Sequence, residues 1–181
     1  EMEQRISLYA QNFKSIKELS EKVNADPSDV KSANDLGSIH AQIGDYATAT
    51  SLFSKNIEDP ESKLGLAFVA QKTGDLTQAE SLLNETIKHY SDAGVEDANS
   101  VIAKGGSQEE ALSSWTNKIA DPNMQRAIYN LASVYGQTDR ADKAMPMADE
   151  WLKADPKSIP ALQMKAFLSN KLGDKVSAVK Y

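Results

Sequence analysis

The chain has 181 residues, 40% of them apolar, a formal net charge of −6 and no cysteine. That apolar share supports a buried core, and the missing cysteines exclude disulfides, thiolate metal sites and cysteine nucleophiles. Acids outnumber bases by 14 to 9 in residues 1–90 and by 12 to 11 in the remainder, so no basic stripe is available for nucleic acid.

Residues 3–24, EQRISLYAQNFKSIKELSEKVN, place Ile6, Tyr9, Phe13, Ile16, Leu19 and Val23 three or four apart. That spacing predicts one amphipathic helix. We read residues 1–29 as an N-terminal cap or half repeat stacked on the first full unit. Asp26-Pro27 then opens a recurring pattern. Asp-Pro returns at Pro60, Pro122 and Pro156, separated by 33, 62 and 34 residues. Proline biases the residue before it away from helix, so each dipeptide reads as a breaker.

The segments between breakers repeat as well. Residues 30–59 contain SANDLGSIHAQI, a helical run, then Gly44, then Ala49, Phe53 and Ile57. Residues 60–91 contain KLGLAFVAQKT, Gly74, Ala79, Leu83 and Ile87. Residues 92–124 begin without Asp-Pro, so Ser-Asp-Ala-Gly of HYSDAG is expected to break the chain in its place. GVEDANSVIAKGGS has a weak apolar face, which predicts a short or irregular helix before Gly106, Ala111, Trp115 and Ile119. Residues 125–158 contain AIYNLASVYGQT, Asp139, Ala144, Ala148 and Leu152, with Pro146 expected to bend the second helix. Residues 159–181 contain ALQMKAFLSNKL, Gly173 and Ala178, and stop early in a second helix.

The unit is helix, tight turn, helix, breaker. Glycine can take the left-handed conformation that ends a helix. The aspartate or serine after it can cap the next. Alanine five residues on lets helices approach closely, and the next large residue falls on the same face.

The best unit, QRAIYNLASVYGQTDRADKAMPMADEWLKADPKS, resembles the tetratricopeptide repeat through Ile128, Leu131, Ala132, Tyr135, Ala144, Trp151, Leu152 and Pro156. It departs at Asp139 and Ala148. The resemblance covers residues 30–181 and implies an all-α superhelical solenoid of about five helical hairpins with an extra N-terminal helix. It also implies a concave groove, lined by the first helix of each unit, that holds a peptide or partner helix. Carried onto this sequence, the groove positions are Asn34, Ser38 and Gln42; Leu64, Phe68, Gln71 and Lys72; Glu96, Ser100 and Lys104; Tyr129, Ser133 and Gln137; Gln163, Phe167, Asn170 and Lys171. Leu64, Phe68, Tyr129 and Phe167 are expected as apolar anchors on an open face, although packing into gaps between units would explain Tyr129, Phe68 or Phe167 equally well. The lysine-rich carboxylate clamp of chaperone adaptors is not matched, since its places hold Asn34, Ser38, Ala93 and Asp97.

Catalytic parts are not evident. His40 falls where the family usually packs an aromatic residue, and His89 is expected near a helix end. No histidine pair has metal-ligand spacing, and neither GLAFV nor AKGGSQ forms a phosphate loop after a strand. The expectation is a non-enzymatic interaction scaffold without metal or cofactor. A self-associating structural protein, joined through an uncapped C-terminal end, is the alternative, unless the chain is a fragment of a longer protein. No run of about 18 apolar residues is present to span a membrane. The composition suggests a bacterial protein and suits either cytoplasm or periplasm. In repeat style it is similar to bacterial pilus and secretion assembly proteins, the tight-adherence lipoproteins among them.

Overall fold

Five turns in this chain share one hydrogen bond. The N–H of Asp45, Asp75, Gly106, Arg140 and Asp174 donates to the carbonyl five residues back, on His40, Ala70, Val101, Tyr135 and Ser169, at 2.8–2.9 Å. This is the six-to-one bond of a Schellman C-cap, which needs a left-handed residue just before the donor. Gly44, Gly74, Gly105 and Gly173 supply it with φ of 80°, 88°, 84° and 79°. Asp139 supplies it at φ 54°, the sole positive-φ residue other than glycine among those described. The expected glycine positions therefore hold, with one correction. In the third turn Gly105, not Gly106, is left-handed, and Gly106 is an extra residue before the next cap.

The computed structural model describes residues 2–174 and Ala178, the side chains of Ile119 and Ala154 apart. Among them there are nine helices and no strand: α1 (Met2–Ala25), α2 (Val30–Gln42), α3 (Tyr46–Ser54), α4 (Pro60–Thr73), α5 (Leu76–Ala103), α6 (Gln108–Ile119), α7 (Pro122–Gln137), α8 (Ala141–Ala154) and α9 (Ile159–Lys171). They fall into two compact units, Glu1–Leu82 and Leu83–Tyr181.

The caps are written in the sequence. Asp45 accepts from Thr48 N–H at 3.2 Å and Asp75 from Gln78 N–H at 2.9 Å, so the residue closing one helix opens the next. Asp59 and Asp121 cap α4 and α7, with Pro60 and Pro122 in the first turn, where a missing N–H costs nothing. Asp26-Pro27 and Asp155-Pro156 act differently. There the helix ends first, and Asp29 or Ser158 caps the next one. Ser107 and Glu110 form a reciprocal capping box on α6. Among α2 to α9, only α8 starts on a residue with no acceptor to offer, Arg140, which stacks 5.0 Å from the Tyr135 ring instead.

Ser-Asp-Ala-Gly does not break the chain: α5 runs unbroken through residues 91–94. None of these residues forbids a helix. Glycine costs about 1 kcal/mol against alanine, whereas proline removes a hydrogen bond and collides with the preceding turn. Gly94 is instead a point of close approach. A Cβ there would lie 3.0 Å from Trp115 Cδ1 and 3.3 Å from Lys118 Cβ. His89 accordingly sits mid-helix and exposed, edge-on to Tyr90, rather than near a helix end.

In the first unit, α1 packs on α2, and α2, α3 and α4 pack on one another. Only the second half of α1 takes part. Ile16 and Val23 are buried, while Ile6, Tyr9 and Phe13 are 63%, 43% and 56% exposed. The first half is tied down by Arg5, whose Nε donates to the Ile43 carbonyl at 2.9 Å. At the centre, the buried Phe53 ring meets two glycines. A Cβ on Gly37 would come within 2.8 Å of it, and one on Gly65 within 2.4 Å. In the second unit, α7 packs on α6, α8 and α9, and α8 on α9, around Met124, Ile128, Trp151, Met164 and Leu168. The recurring alanines Ala49, Ala79, Ala111 and Ala144 are all buried, and Ala178 is half-buried.

Gly65→Ala tests the centre of the first unit. Helix propensity alone would gain about 1 kcal/mol, but overpacking costs roughly 1–3 kcal/mol. The variant is expected to be less stable in urea, and Gly65→Ala/Phe53→Leu more stable than the sum of the two single changes. A stabilised Gly65→Ala would show that the ring does not set the helix spacing.

Candidate functional site

The first helix of each repeat carries the predicted groove residues, and the structure treats them unequally. Asn34 and Leu64, at the same place in successive repeats, are each 1% exposed and so are not available to a partner. For Asn34 the reason is a polar rivet. Its Nδ2 donates to Asp59 Oδ2 at 2.9 Å, and Ser62 Oγ donates to its Oδ1 at 2.7 Å. Asp59 also accepts from Ser62 N–H at 2.8 Å. The residue expected to face a partner instead fastens α2 to the start of α4. Leu64 joins the core as an ordinary leucine. On this first-unit face Ser38 and Phe68 remain half-buried, and Gln42 and Lys72 exposed.

In the second unit the same position opens outward. Tyr129 is 42% exposed and Gln163 is exposed. Between α7 and α9, Tyr129, Ser133 and Phe167 meet around a pocket of about 40 Å³ that also touches Ala132 and Met164. Gln137 Nε2 donates to Ser133 Oγ at 3.1 Å. Phe167 is 36% exposed. Its inner edge rests on Gly136, where a Cβ would lie 2.6 Å from the ring. Phe167 thus both packs and projects.

One local device appears in both units. Lys72 Nζ lies 5.3 Å from the Phe68 ring centre, and Lys171 Nζ lies 5.8 Å from that of Phe167. Each is an i,i+4 pair on a first helix of a repeat. Such a contact contributes about 0.5–1 kcal/mol at an exposed site and holds a cation beside the aromatic edge. Of the residues expected from the third repeat, Glu96 and Ser100 lie along the end of α5 and Lys104 just beyond it.

His40 has a structural partner. Its Nδ1 lies 2.9 Å from Asp45 Oδ2, and its side chain is 13% exposed. Asp45 is the cap of α3, so the pair locks a helix end; sequence spacing alone did not reveal it. Burial raises the Asp45 pKa, but bonds from Thr48 and His40 outweigh that and leave it below its ordinary value of 3.8. Among the described residues no cluster of three or more His, Asp or Glu could hold a metal ion. No helix among them is long and apolar enough to cross a membrane.

Residues 125–158 match the tetratricopeptide repeat. The chain has a tetratricopeptide-type all-α fold. A solved structure titled "Crystal structure of MamA" is similar to it with a TM-score of 0.57 and 20% identity, covering 92% of this chain and 81% of that one. A second, titled "MamA MSR-1 C2", reaches 0.29 at 19% identity over 83% of this chain and 91% of that one, too low to carry an argument. No curated protein matches the sequence. The stylistic likeness to pilus assembly proteins finds no counterpart among these comparisons.

A carboxylate held below its ordinary pKa in the folded state stabilises the fold above that ordinary value and stops doing so as pH falls through the folded one. Asp45→Asn keeps a capping side chain but removes the charge. It is expected to be less stable than the parent at pH 7, by about 0.5 kcal/mol as for a charge at a helix N-terminus. The gap should close as pH drops below 3.8. Urea midpoints at pH 7, 5 and 3 check this, and a gap independent of pH would refute the charge.

Proposed function

We propose that the chain is a non-catalytic interaction module that holds a peptide segment or partner helix on the face formed by α7 and α9. The supporting observation is the pairing of two projecting aromatics, Tyr129 and Phe167, across a pocket with a hydroxyl, Ser133, in its wall. Aromatic side chains give large contact area at low entropic cost and dominate binding where they are well seated. The pocket's volume suits a methyl or small aliphatic group of the partner. Gln137, bonded to Ser133, and Lys171, beside the Phe167 ring, adjoin its lining, which favours a partner with polar or acidic residues beside its apolar anchor. On the first unit the corresponding face offers Ser38, Gln42, Phe68 and Lys72. Asn34 and Leu64, being internal, are left out. Repeats of this kind typically hold protein partners rather than turn over substrates. A pilus or secretion setting is not carried into this reading, because no comparison supports it.

Selection from a random peptide library on the purified chain tests the proposal. Recovered peptides are expected to carry a small apolar anchor. Tyr129→Ala or Phe167→Ala should weaken them about tenfold or more, the scale of an aromatic hot spot. Peptides unmoved by both changes would place binding elsewhere. On the first unit, Phe68→Glu should remove binding to that face while leaving helical circular dichroism intact. Loss of the fold would make Phe68 a packing residue.

Association of two copies is a second reading, now resting on α1. The C-terminal end expected to build such contacts lies largely outside the described residues. The first half of α1 instead exposes Met2, Ile6, Tyr9 and Phe13 along one helix, and a cavity of about 610 Å³ lies beside it against Ile43 and Asp45. Light scattering should then show mass rising with concentration, and Ile6→Glu/Phe13→Glu should abolish the rise.

A further inference from the structure

The helices that form the α7–α9 face differ in charge from the rest of the chain. The 16 residues of α7 and the 13 of α9 include Arg126, Lys165 and Lys171 and no Asp or Glu. At 26 acids in 181 residues, a stretch of these 29 would hold about four. The formal net charge is −6, so everything outside these two helices carries −9. The acids that flank α7 lie in turns: Asp121 caps the helix, and Asp139 is the left-handed residue beyond its end.

Lys165 pairs with Asp149 of α8 at 2.6 Å and is committed there. Arg126 and Lys171 are exposed, and neither forms an ion pair among the described residues. They stand at opposite ends of the face. Arg126 precedes Tyr129 by three residues and Ser133 by seven, which puts it on their side of α7. Lys171 meets α7 ten residues further on, since a Cβ on Gly136 would lie 3.8 Å from its Cγ. At a rise of 1.5 Å per residue, the two cations sit about 15 Å apart along α7. Tyr129, Ser133 and Phe167 surround the small pocket between them.

This spacing selects a ligand. An extended chain advances about 3.3–3.6 Å per residue, so four steps cover about 13–14 Å, and flexible side chains close the remainder. Residues two apart in an extended chain point the same way. An acid, a small apolar residue two places on and a second acid two places further would all face the protein. Taking the α7–α9 face as the binding surface, we propose that its partner is an extended acidic segment with a carboxylate on either side of a small apolar anchor. Arg126 and Lys171 read the two carboxylates. Charges so placed set specificity and register, while the aromatics hold the anchor.

Four peptides test this, each acetylated and amidated so that no terminal charge takes part: GSESVSESG, GSQSVSQSG, GSKSVSKSG and GEESVSSSG. The last has the composition of the first with both acids on one side. Binding is followed through the amide signals of the ¹⁵N-labelled chain. GSESVSESG should saturate, and at low salt should bind about fivefold to tenfold more tightly than GSQSVSQSG, the scale of two exposed ion pairs. GEESVSSSG should fall between them and GSKSVSKSG should be weakest. The advantage should fade in roughly 1 M salt, where charges are screened beyond about 3 Å. Arg126→Glu/Lys171→Glu should make the lysine peptide the best ligand. If circular dichroism shows that variant unfolded, Arg126→Gln/Lys171→Gln should instead bring the glutamate and glutamine peptides level. Equal binding of these two peptides to the parent, both lost in Tyr129→Ala, would overturn the charge assignment and leave the face as a binding surface. Equal binding of GSESVSESG and GEESVSSSG would overturn the extended spacing, and so the proposal. So would a folded charge variant that binds GSESVSESG as the parent does. If no peptide saturates, the proposal falls together with the reading of the face beneath it.

Discussion

Everything in the fold is hung on the six-to-one turn. A left-handed residue reverses the chain at the end of one helix, and the next residue's N–H closes the bond to a carbonyl five residues back. In three of the five turns that donor is an aspartate, and at Asp45 and Asp75 its carboxylate immediately caps the following helix. Termination and initiation are thus performed by two adjacent residues. Short connections of this kind leave consecutive helices little choice but to pack antiparallel against each other. The variations fit the same constraint. Asp139 is tolerated because a short polar side chain is the least costly substitute for glycine in the left-handed region. The added Gly106 is absorbed because Ser107 provides a cap one residue later.

Helix spacing is then set by pairing large residues with small ones. Phe53 fits because Gly37 and Gly65 offer no side chain where its ring lies. Trp115 lies against Gly94 in the same manner, and Phe167 against Gly136. Protein interiors are packed too densely for such a ring to enter without a matching absence. The large partner need not come from the same place in each repeat. The second helix supplies Phe53 and Trp115, whereas α8 has Ala148 at that place and the first helix α9 supplies Phe167. The repeat is therefore kept as a volume rule more strictly than as a residue pattern.

This division explains what was legible in the sequence. Turn chemistry is local, so the glycine positions, the aspartate caps and the buried alanines could be read from spacing. The failures also have physical causes. Ser-Asp-Ala-Gly lies inside α5 because nothing in it compels a break, and Gly94 is present for contact with Trp115 rather than for a turn. The slip between Gly105 and Gly106 arose because either glycine can take positive φ, and only the bond from Gly106 to Val101 distinguishes them. Of the candidate residues, Tyr129, Ser133 and Phe167 lie around one pocket. Asn34 and Leu64 do not, because what covers a position in a repeat array is its neighbour, and the neighbour is invisible to a periodic alignment. The His40–Asp45 pair was equally out of reach, since it depends on geometry at the turn between helices.

The contrast between Asn34 and Tyr129 bears on function. They occupy one structural position, yet Asn34 is committed on both ends of its amide to Asp59 and Ser62, while Tyr129 shows nearly half its surface. A fully satisfied buried amide is costly to disturb, because removing either partner strands the other. It therefore resists opening and makes the α2–α4 contact a fixed joint. Tyr129 has no such obligation in its exposed part and can exchange water for a partner's apolar surface. The same position thus serves cohesion in one unit and stays open in the other, and the side-chain chemistry decides which. Asparagine has a donor and an acceptor to anchor internally; tyrosine has a ring that gains by being covered and a hydroxyl that can stay wet. At this position, therefore, α7 keeps apolar surface open to solvent, while on α2 the same place is spent on holding the first unit's helices together.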